Sequence, residues 1–290
     1  MIVLYGRPLD NKNQLVSGPY KRAEAPNNCP EFPHMSGGVA FVTGSSQGIG
    51  KAIALRLASD GFEIAINDID SKLLALETVK KEIEESTGKQ ALICVGDVSV
   101  EENVKAMIES VVKTFSSLDV MVANAGICPC GPLNDMSVEE WERAFTVNVI
   151  GTFLCYKYAS LQMIAQGEGG RLIGASSNAG KQGQRMMGIY ASTKFAIRGL
   201  TQSAALEYGK HQITVNAYCP GPIDTEMARK AAQDIGGDIE AVLNMYTQTA
   251  AVGRIGEPAD VANLVSFLAS KHSGYLTGQT ISIDGGLIFD

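Results

Sequence analysis

The fold class is decided by the stretch Thr43-Gly44-Ser45-Ser46-Gln47-Gly48-Ile49-Gly50. It follows an apolar run at 39–42 and opens a helical pattern over 51–59. Glycines let the backbone approach a pyrophosphate, while the helix N-terminus offers free N–H groups and a favourable dipole. A tight turn without a ligand has the same composition, so the motif needs support from elsewhere. The residues of this turn that we expect to contact a dinucleotide are Gly44, Ser46, Gln47, Gly48, Ile49 and Gly50.

Seven short apolar or β-branched runs alternate with longer helical patterns. The runs are 39–42, 63–66, 91–95, 119–122, 171–173, 213–215 and 280–283. Strands separated by helices predict a parallel sheet with helices on both faces. Residues 38–290 contain no internal repeat and no low-complexity linker where a second domain could begin. The sequence therefore predicts an α/β protein: a single-domain, doubly wound Rossmann fold with a seven-stranded parallel sheet.

Two helix starts carry the spacing of a capping box. Ser99 and Ser137 are each followed three residues later by a glutamate, Glu102 and Glu140. In this motif the hydroxyl accepts a bond from the third helical N–H, and the carboxylate reaches back to the N–H of the cap. Both serines are therefore expected to cap a helix.

Residues 1–34 differ in composition from the rest of the chain. Five of the ten prolines lie there, at positions 8, 19, 26, 30 and 33, and no periodicity is sustained. This composition predicts an extended or disordered N-terminal arm over 1–34, followed by a single domain over 35–290. Met35 stands just before the first strand pattern, so an upstream start codon explains the arm equally well.

Charge and composition exclude several classes of partner. The formal net charge of -7 disfavours nucleic acid and anionic membranes, which call for clustered Lys and Arg. No apolar run reaches the roughly 18 to 20 residues of a membrane span, and the N-terminus lacks the order of a secretory signal. The six cysteines show no disulfide-framework spacing. We expect a soluble cytoplasmic protein with free thiols that acts on a small molecule.

Asp68 bears on the choice of cofactor. It ends the second strand about 20 residues after the glycine turn, where a carboxylate accepts bonds from ribose hydroxyls and repels a 2′-phosphate. This position favours NAD over NADP. Two alternatives remain: Asp68 helps to start the helix beginning near Ser71, or Asp70 shares the task. Lys51, the opposing residue, lies beyond the last glycine on the predicted helix and is typical of a solvated face.

A second group of residues carries acid–base chemistry. Tyr190 and Lys194 are four residues apart at the start of a helical pattern over Gly188–Tyr208, so they project from one face. An ammonium beside a phenol stabilises the phenolate and brings its pKa toward neutrality. Ser177, in the loop after the 171–173 strand, and Asn148, on the preceding helix, complete the set. Tyr-x-x-x-Lys alone arises often by chance.

These motifs, in this order, resemble the short-chain dehydrogenase/reductase family over residues 38–290. The shared features are the Thr-Gly-x-x-x-Gly-x-Gly turn, the Asn-Ala-Gly segment at 124–126, the catalytic Asn and Ser, and Tyr-x-x-x-Lys. The resemblance implies that Tyr190 is the general acid–base and that Ser177 hydrogen-bonds the substrate oxygen. It implies that Lys194 binds the nicotinamide ribose and lowers the Tyr190 pKa. Asn148 would hold a water that passes protons onward.

The resemblance also implies cofactor contacts beyond the turn. Asp97 corresponds to an adenine contact, and Pro220-Gly221 with Thr225 to the contact with the nicotinamide carboxamide. From its chemistry alone, Asn124 is equally consistent with an internal hydrogen bonder. The cofactor is expected to be NAD, contacted outside the turn by Asp68, Ile69, Asp97, Val98, Asn124, Ala125, Gly126, Tyr190, Lys194, Pro220, Gly221, Ile223 and Thr225.

Within the family, residues 50–57, 194–202, 216–221 and 276–280 resemble the diacetyl/acetoin reductases, or butanediol dehydrogenases. Those enzymes place amide side chains where Asn178 and Gln184 stand here, in the reverse order. Met186, Met187 and Met227 would make the pocket more adaptable and more apolar, or else fill the core. A bulkier ketone remains open. The predicted substrate-binding residues are Ser177, Asn178, Gln184 and Tyr190.

Other functions fit the sequence less well. Cys128 and Cys130 have no further ligands at zinc-like spacing, so no metal is predicted. The three histidines fall in no triad context, which disfavours a Ser/His/Asp hydrolase. A non-enzymatic NAD-binding regulator is disfavoured because the acid–base residues are all present.

Two alternatives are themselves enzymes. A 3-oxoacyl-carrier-protein reductase would call for NADPH and for basic residues near Gln47 or Asp68. A biosynthetic tailoring dehydrogenase acting on a bulkier alcohol or ketone would share every motif. By resemblance, the protein is expected to be a homo-oligomer, a tetramer or dimer, formed through its long helices and its C-terminal strand.

Overall fold

The computed structural model describes residues 37–235 and 238–289. The arm expected over 1–34, and the boundary that separates it from the domain, lie outside the described residues.

The described residues form one sheet of seven strands, all parallel. Their spatial order is β3-β2-β1-β4-β5-β6-β7, and every neighbouring pair runs in the same direction. The predicted single-domain Rossmann fold is confirmed, with strand ends shifted by up to five residues. The strands are β1 (Val39–Val42), β2 (Glu63–Asp68), β3 (Ala91–Val95), β4 (Val120–Ala123), β5 (Gly170–Ala175), β6 (Ile213–Pro220) and β7 (Thr280–Ile283).

Helices cover both faces of the sheet. They are α1 (Gly48–Ser59), α2 (Leu73–Thr87), α3 (Glu101–Phe115), α4 (Val138–Phe145), α5 (Gly151–Gln166), α6 (Gly188–Tyr208), α7 (Glu226–Asp234), α8 (Ile239–Thr249) and α9 (Pro258–Ala269). The apolar sides of α1, α2 and α9 pack on one face. Those of α3, α5 and α6 pack on the other. The fold is therefore doubly wound, with two hydrophobic layers around the sheet.

The strands alternate their side chains between these two layers. In β1, Ala40 and Val42 belong to the α1 layer, whereas Val39 and Phe41 belong to the α3 layer. All four are buried, which is why the run is continuously apolar and not alternating. Full burial of a side chain such as Phe41 contributes roughly 1.5–3 kcal/mol.

Two local expectations are corrected by the structure. Helix α1 begins at Gly48 and not at Lys51, because the Lys51 N–H already donates to the Gln47 carbonyl (3.1 Å) and the glycines form its first turn. Ser99 caps no helix, since its hydroxyl donates to the Asp97 carboxylate (2.6 Å) and Val100 takes the cap position of α3. The capping box of Ser137 is confirmed.

The chain reverses its winding direction between β1 and β4, which are neighbours in the sheet. Connections from these two strands diverge to opposite sides and leave a crevice at their carboxyl ends, where ligands bind in open α/β sheets. The glycine turn after β1 and the Asn-Ala-Gly segment after β4 both open into this crevice. Among the described helices, none combines the length and the apolar character that crossing a membrane would require.

Candidate active site

The glycine turn closes tightly on itself and on the segment after β4. Gly44 (φ 63°) and Gly48 (φ 55°) adopt the left-handed region that disfavours side chains. A Cβ on Gly50 would overlap the Gly44 carbonyl oxygen, and one on Gly44 would come within 2.8 Å of the Ala125 Cα. The backbone therefore lines the crevice directly, and the N-terminus of α1 points its first N–H groups there. This backbone cradle fits a pyrophosphate.

Asn124 fastens the turn to the sheet. Its Nδ2 donates to the carbonyls of Thr43 (2.8 Å) and Gly44 (3.0 Å). Its Oδ1 accepts from the Tyr218 hydroxyl (2.8 Å) on β6. The side-chain amide is thus committed to internal bonds, so the structure favours the internal hydrogen-bonding role left open by the sequence. Tyr218, which is buried on β6, was not among the predicted site residues.

Asp68 stands at the end of β2 with its carboxylate held in place. Oδ2 accepts from the Ser46 hydroxyl (2.6 Å) and Oδ1 from the Ile69 N–H (2.9 Å). Asp68 does not start the next helix, since α2 has Lys72 at its cap position. Ser46 does not border the cavity, and its contact is with Asp68. Asp97 borders the same cavity, with Oδ1 bonded to Ser99.

A basic residue that the sequence analysis missed also lies at this end. The Lys72 ammonium donates to Gln47 Oε1 (3.1 Å) and borders the cavity. Lys51, the expected opposing residue, instead pairs with Glu82 on α2 (2.7 Å). The short 3₁₀ turn Asp70–Lys72 brings Lys72 to Gln47, and no sequence motif marks that contact.

Asn148 lies in a π-helical turn, Thr146–Ile150, between α4 and α5. Such turns occur often at functional sites. Its side chain bonds to both backbone groups of Ile127 (2.8 and 2.9 Å) and donates to the Thr193 hydroxyl (3.0 Å). Its backbone carbonyl accepts from the Thr152 hydroxyl (2.7 Å). The side chain does not border the cavity and ties the segment after β4 to α6.

The predicted substrate-binding side chains form a hydrogen-bonded chain after β5. The Ser177 hydroxyl donates to Asn178 Oδ1 (3.1 Å), which also accepts from Gln184 Nε2 (2.9 Å). The Ala179 N–H donates back to the Ser177 oxygen (3.1 Å). These bonds orient the serine hydroxyl in the cavity wall.

Tyr190 and Lys194 lie together on the first turns of α6. Tyr190 hydrogen-bonds with the Ser177 side chain. The Lys194 ammonium lies 5.4 Å from the centre of the Tyr190 ring and donates to the Ala175 carbonyl (2.7 Å). The structure thus brings together three of the four predicted catalytic side chains at the cavity, with Asn148 behind them.

The pKa of Tyr190 differs from the expectation. Burial raises the Tyr190 pKa above its ordinary value, a nearby thiol, Cys128, adds to the rise, and the Ser177 bond opposes it. Burial also lowers the pKa of Lys194 to about 8. Desolvation, the largest cause of the raised pKa, therefore favours the neutral phenol.

One cavity of about 820 Å³ connects these groups. Its far wall is apolar and comes from the segment before α6 and from α7 and α8: Met186, Met187, Met227, Ile235, Val242, Met245 and Tyr246. The sequence pointed to the first three but not to α8, which carries no motif. The predicted residues that border the cavity are Gly44, Gln47, Gly48, Ile49, Gly50, Asp68, Ile69, Asp97, Val98, Asn124, Ala125, Gly126, Ser177, Asn178, Gln184, Tyr190, Lys194, Pro220, Gly221, Ile223 and Thr225.

Cys128 and Cys130 also border this cavity. Their sulfurs are 3.6 Å apart. Within residues 37–235 and 238–289, no three side chains of His, Cys, Asp or Glu gather into a group that could hold a metal ion.

Comparison with known proteins gives consistent matches along this domain. The family profile described as enoyl-(acyl carrier protein) reductase matches residues 44–288. A short-chain dehydrogenase/reductase of Armillaria gallica is 51% identical over 257 residues, covering 88% of this chain and 97% of the relative. A diacetyl reductase [(S)-acetoin forming] of Staphylococcus epidermidis is 42% identical over 255 residues, covering 86% and 98%.

A solved structure shares the architecture. The crystal structure of levodione reductase superimposes with a TM-score of 0.81 at 31% sequence identity, covering 86% of this chain and 96% of that one.

Proposed function

Because the chain belongs to the short-chain dehydrogenase/reductase family, whose members act on CH–OH groups, we propose that it is an NAD(H)-dependent oxidoreductase that interconverts a ketone and a secondary alcohol, with Tyr190 as general acid–base. The observation that carries the proposal is the arrangement on α6: the Tyr190 hydroxyl bonded to Ser177, with the Lys194 ammonium 5.4 Å from its ring, in the same cavity as the glycine turn.

The side chains of this site have distinct roles in reduction. When bound, the nicotinamide cofactor supplies the hydride. A neutral Tyr190 hydroxyl is the correct form to give a proton to the substrate oxygen, and its raised pKa keeps it protonated. To hold that oxygen, the Ser177 hydroxyl would turn its one proton from Asn178 Oδ1 to the substrate. Oxidation requires the phenolate, so the charge of Lys194 matters most in that direction.

The preference for NAD is supported by the fixed carboxylate of Asp68. Its oxygens are oriented by Ser46 and Ile69 at the end of β2, where a carboxylate accepts ribose hydroxyls and repels a phosphate. Lys72, bonded to Gln47, is the opposing feature, since a cation there would attract a 2′-phosphate. We assign the preference to Asp68 because it ends β2, the position from which a carboxylate contacts the ribose in dinucleotide-binding folds.

Two substrate classes are candidates. The diacetyl reductase relative supports a small diketone or hydroxyketone of the diacetyl/acetoin type. The apolar wall of α7 and α8 favours a bulkier ketone: Met227 is 43% exposed and Met245 51% exposed, although both border the cavity. A four-carbon substrate would leave most of that surface uncovered, whereas a larger apolar one would bury it. This second class corresponds to a biosynthetic tailoring dehydrogenase.

The test is the initial rate of NADH and NADPH oxidation with diacetyl, acetoin and a cyclic ketone as substrates. Tyr190→Phe should reduce kcat/KM by about 10²–10⁴-fold, the contribution of a general acid, while NADH binding by calorimetry persists. Tyr208→Phe, at the other end of α6 and outside the cavity, is the matched control. Turnover by Tyr190→Phe at the wild-type rate would refute the mechanism, and faster turnover with NADPH would refute the cofactor assignment.

We also propose a cytoplasmic homo-oligomer, a dimer or tetramer. Large apolar side chains are exposed along α5 and α6, as Leu161 (56%) and Leu206 (88%) show. Exposed apolar side chains that adjoin one another form the patches through which subunits associate. Light scattering coupled to size-exclusion chromatography would settle it, and a monomer at micromolar concentration would contradict the proposal.

A further inference from the structure

Two thiols face each other in the wall of the catalytic cavity. The Cys128 and Cys130 sulfurs are 3.6 Å apart, and both residues border the cavity and are half-buried. The other thiols in the described residues, at positions 94, 155 and 219, are buried. A small oxidant that diffuses into the cavity therefore meets this pair and not the others.

The segment that carries the pair is held at both ends. Before it, both backbone groups of Ile127 bond to the Asn148 side chain. After it, the Gly131 N–H donates to the Met186 carbonyl (2.8 Å), and the proline between the cysteines restricts the backbone further. A disulfide bond is about 2.05 Å long, so from 3.6 Å the sulfurs must approach by roughly 1.5 Å.

The two sulfurs are chemically unequal. The hydrogen bond from Cys128 lowers the pKa of Cys130. The same bond, together with burial, raises the pKa of Cys128. Because the thiolate is the nucleophile, Cys130 is the attacking sulfur and Cys128 the one that resolves. An accessible thiolate beside a resolving cysteine is the usual arrangement of an oxidation site.

We propose that Cys128 and Cys130 form an oxidation site in the cavity wall, which closes to an intramolecular disulfide on reaction with a hydroperoxide. The Cys130 sulfur attacks a peroxide oxygen; the O–O bond breaks, a sulfenic acid forms and hydroxide leaves, taking up the proton that Cys130 released. The Cys128 sulfur then attacks the Cys130 sulfur; the S–S bond forms, the S–O bond breaks and the hydroxyl leaves with the Cys128 proton as water. Two thiols lose two electrons, and one hydrogen peroxide becomes two waters.

The disulfide would alter the part of the cavity that faces the substrate. Both cysteines border the same cavity as Tyr190 of α6 and Tyr246 of α8, and the charge of a Cys130 thiolate would raise the pKa of both phenols. Formation of the disulfide removes that charge and draws the two ends of the Cys-Pro-Cys segment closer together. Formation of the bond itself does not depend on which substrate the protein uses.

The experiment treats the full-length protein with one equivalent of hydrogen peroxide, then blocks free thiols with an alkylating reagent under denaturing conditions. The expected result is the loss of two alkylatable thiols, a peptide with Cys128 linked to Cys130, and full recovery with dithiothreitol. Unchanged thiols at a peroxide dose that oxidises dithiothreitol, or a disulfide between other cysteines, would overturn the proposal.

Two variants test the order of the steps. In Cys128→Ser, Cys130 should stop at the sulfenic acid and be trapped by dimedone. In Cys130→Ser, Cys128 should remain reduced over the same time, and sulfenic acid at Cys128 would overturn the assignment of the attacking sulfur. In the protein without substitutions, the disulfide is identified by the mass of the linked peptide. This result tests the proposal even if a variant folds poorly or no substrate is turned over.

Discussion

The two ends of the cavity are built in different ways. At the cofactor end, backbone lies against backbone: Gly50 abuts the carbonyl of Gly44, and the Asn124 amide is fully used in holding the turn. At the substrate end, side chains remain uncovered, with Met227 43% and Met245 51% exposed. The first end recognises an invariant shape with fixed groups, whereas the second offers flexible apolar surface that can adapt to its ligand.

Tolerance to added volume should separate the two ends most strongly. In Gly50→Ala the new Cβ would overlap backbone, which cannot move aside without opening the turn. We expect NADH binding to be lost in calorimetry, and the free energy of unfolding to fall by about 1–3 kcal/mol, as for other overpacked sites.

Gly183→Ala is the control at the substrate end, because a Cβ there meets nothing within 4 Å. It should bind NADH as the unmodified protein does and unfold at an unchanged denaturant midpoint. Retention of NADH binding by Gly50→Ala would show that the turn is looser than its geometry indicates, and the contrast between the two ends would fail.

Lys194 lies where the two ends meet, and its titration should be visible in stability. Its pKa is about 8 in the folded protein against an ordinary 10.5. Below pH 8 it is charged in both states and adds no pH dependence. Between pH 8 and 10.5 the unfolded chain binds more protons, so this group raises the free energy of unfolding by at most about 1.4 kcal/mol per pH unit.

Lys194→Met should remove that rise. Urea unfolding at pH 8.0 and pH 9.5 gives, for each protein, the change in the free energy of unfolding between the two pH values. A packing defect of the variant lowers the free energy of unfolding equally at both pH values, so it cancels in this change. Equal differences in the variant and the unmodified protein would mean that Lys194 does not titrate in this range.

The cofactor end could be predicted largely from the sequence because its function requires particular residue types at particular spacings. Glycine is needed at Gly44 and Gly48, where φ is positive. The position of Asp68 is predicted because the length of one βα unit sets its distance along the chain from the glycine turn. Asn148, by contrast, was placed correctly in the chain, but its side-chain bonds to Ile127 and Thr193 depend on tertiary contacts that no local pattern encodes.

The substrate end was harder to predict because its function does not require particular residue types at particular spacings. Apolar residues such as Val242 and Met245 give the same sequence pattern in a cavity wall as in a core face. Lys72 was missed because its contact with Gln47 joins two loops 25 residues apart. The raised pKa of Tyr190 was missed because burial, its largest cause, is a property of the folded protein.

Cofactor choice should respond to two charges at the cofactor end. Asp68→Asn keeps the shape but removes the charge, and we expect kcat/KM with NADH to fall about tenfold or more, since bonds to charged groups are worth roughly 1.5–3 kcal/mol. Lys72→Ala should reduce only the residual activity with NADPH. A fall in NADH activity in Lys72→Ala, with Asp68→Asn unaffected, would reverse the assignment of these two residues.

The smallest expected effect is at the apolar wall, where it discriminates between the two substrate classes. Met227→Ser removes a side chain that is 43% exposed, so a bulky substrate would lose the burial of only part of it, about 1 kcal/mol, or a roughly fivefold higher KM. Diacetyl, too small to reach both Tyr190 and α7, should be reduced with an unchanged KM. Leu74→Ser, a change of the same kind on exposed α2 surface outside the cavity, is the control. If the KM for diacetyl rises as much as that for the larger ketone, α7 closes over the small substrate too, and the substrate end is as specific as the cofactor end.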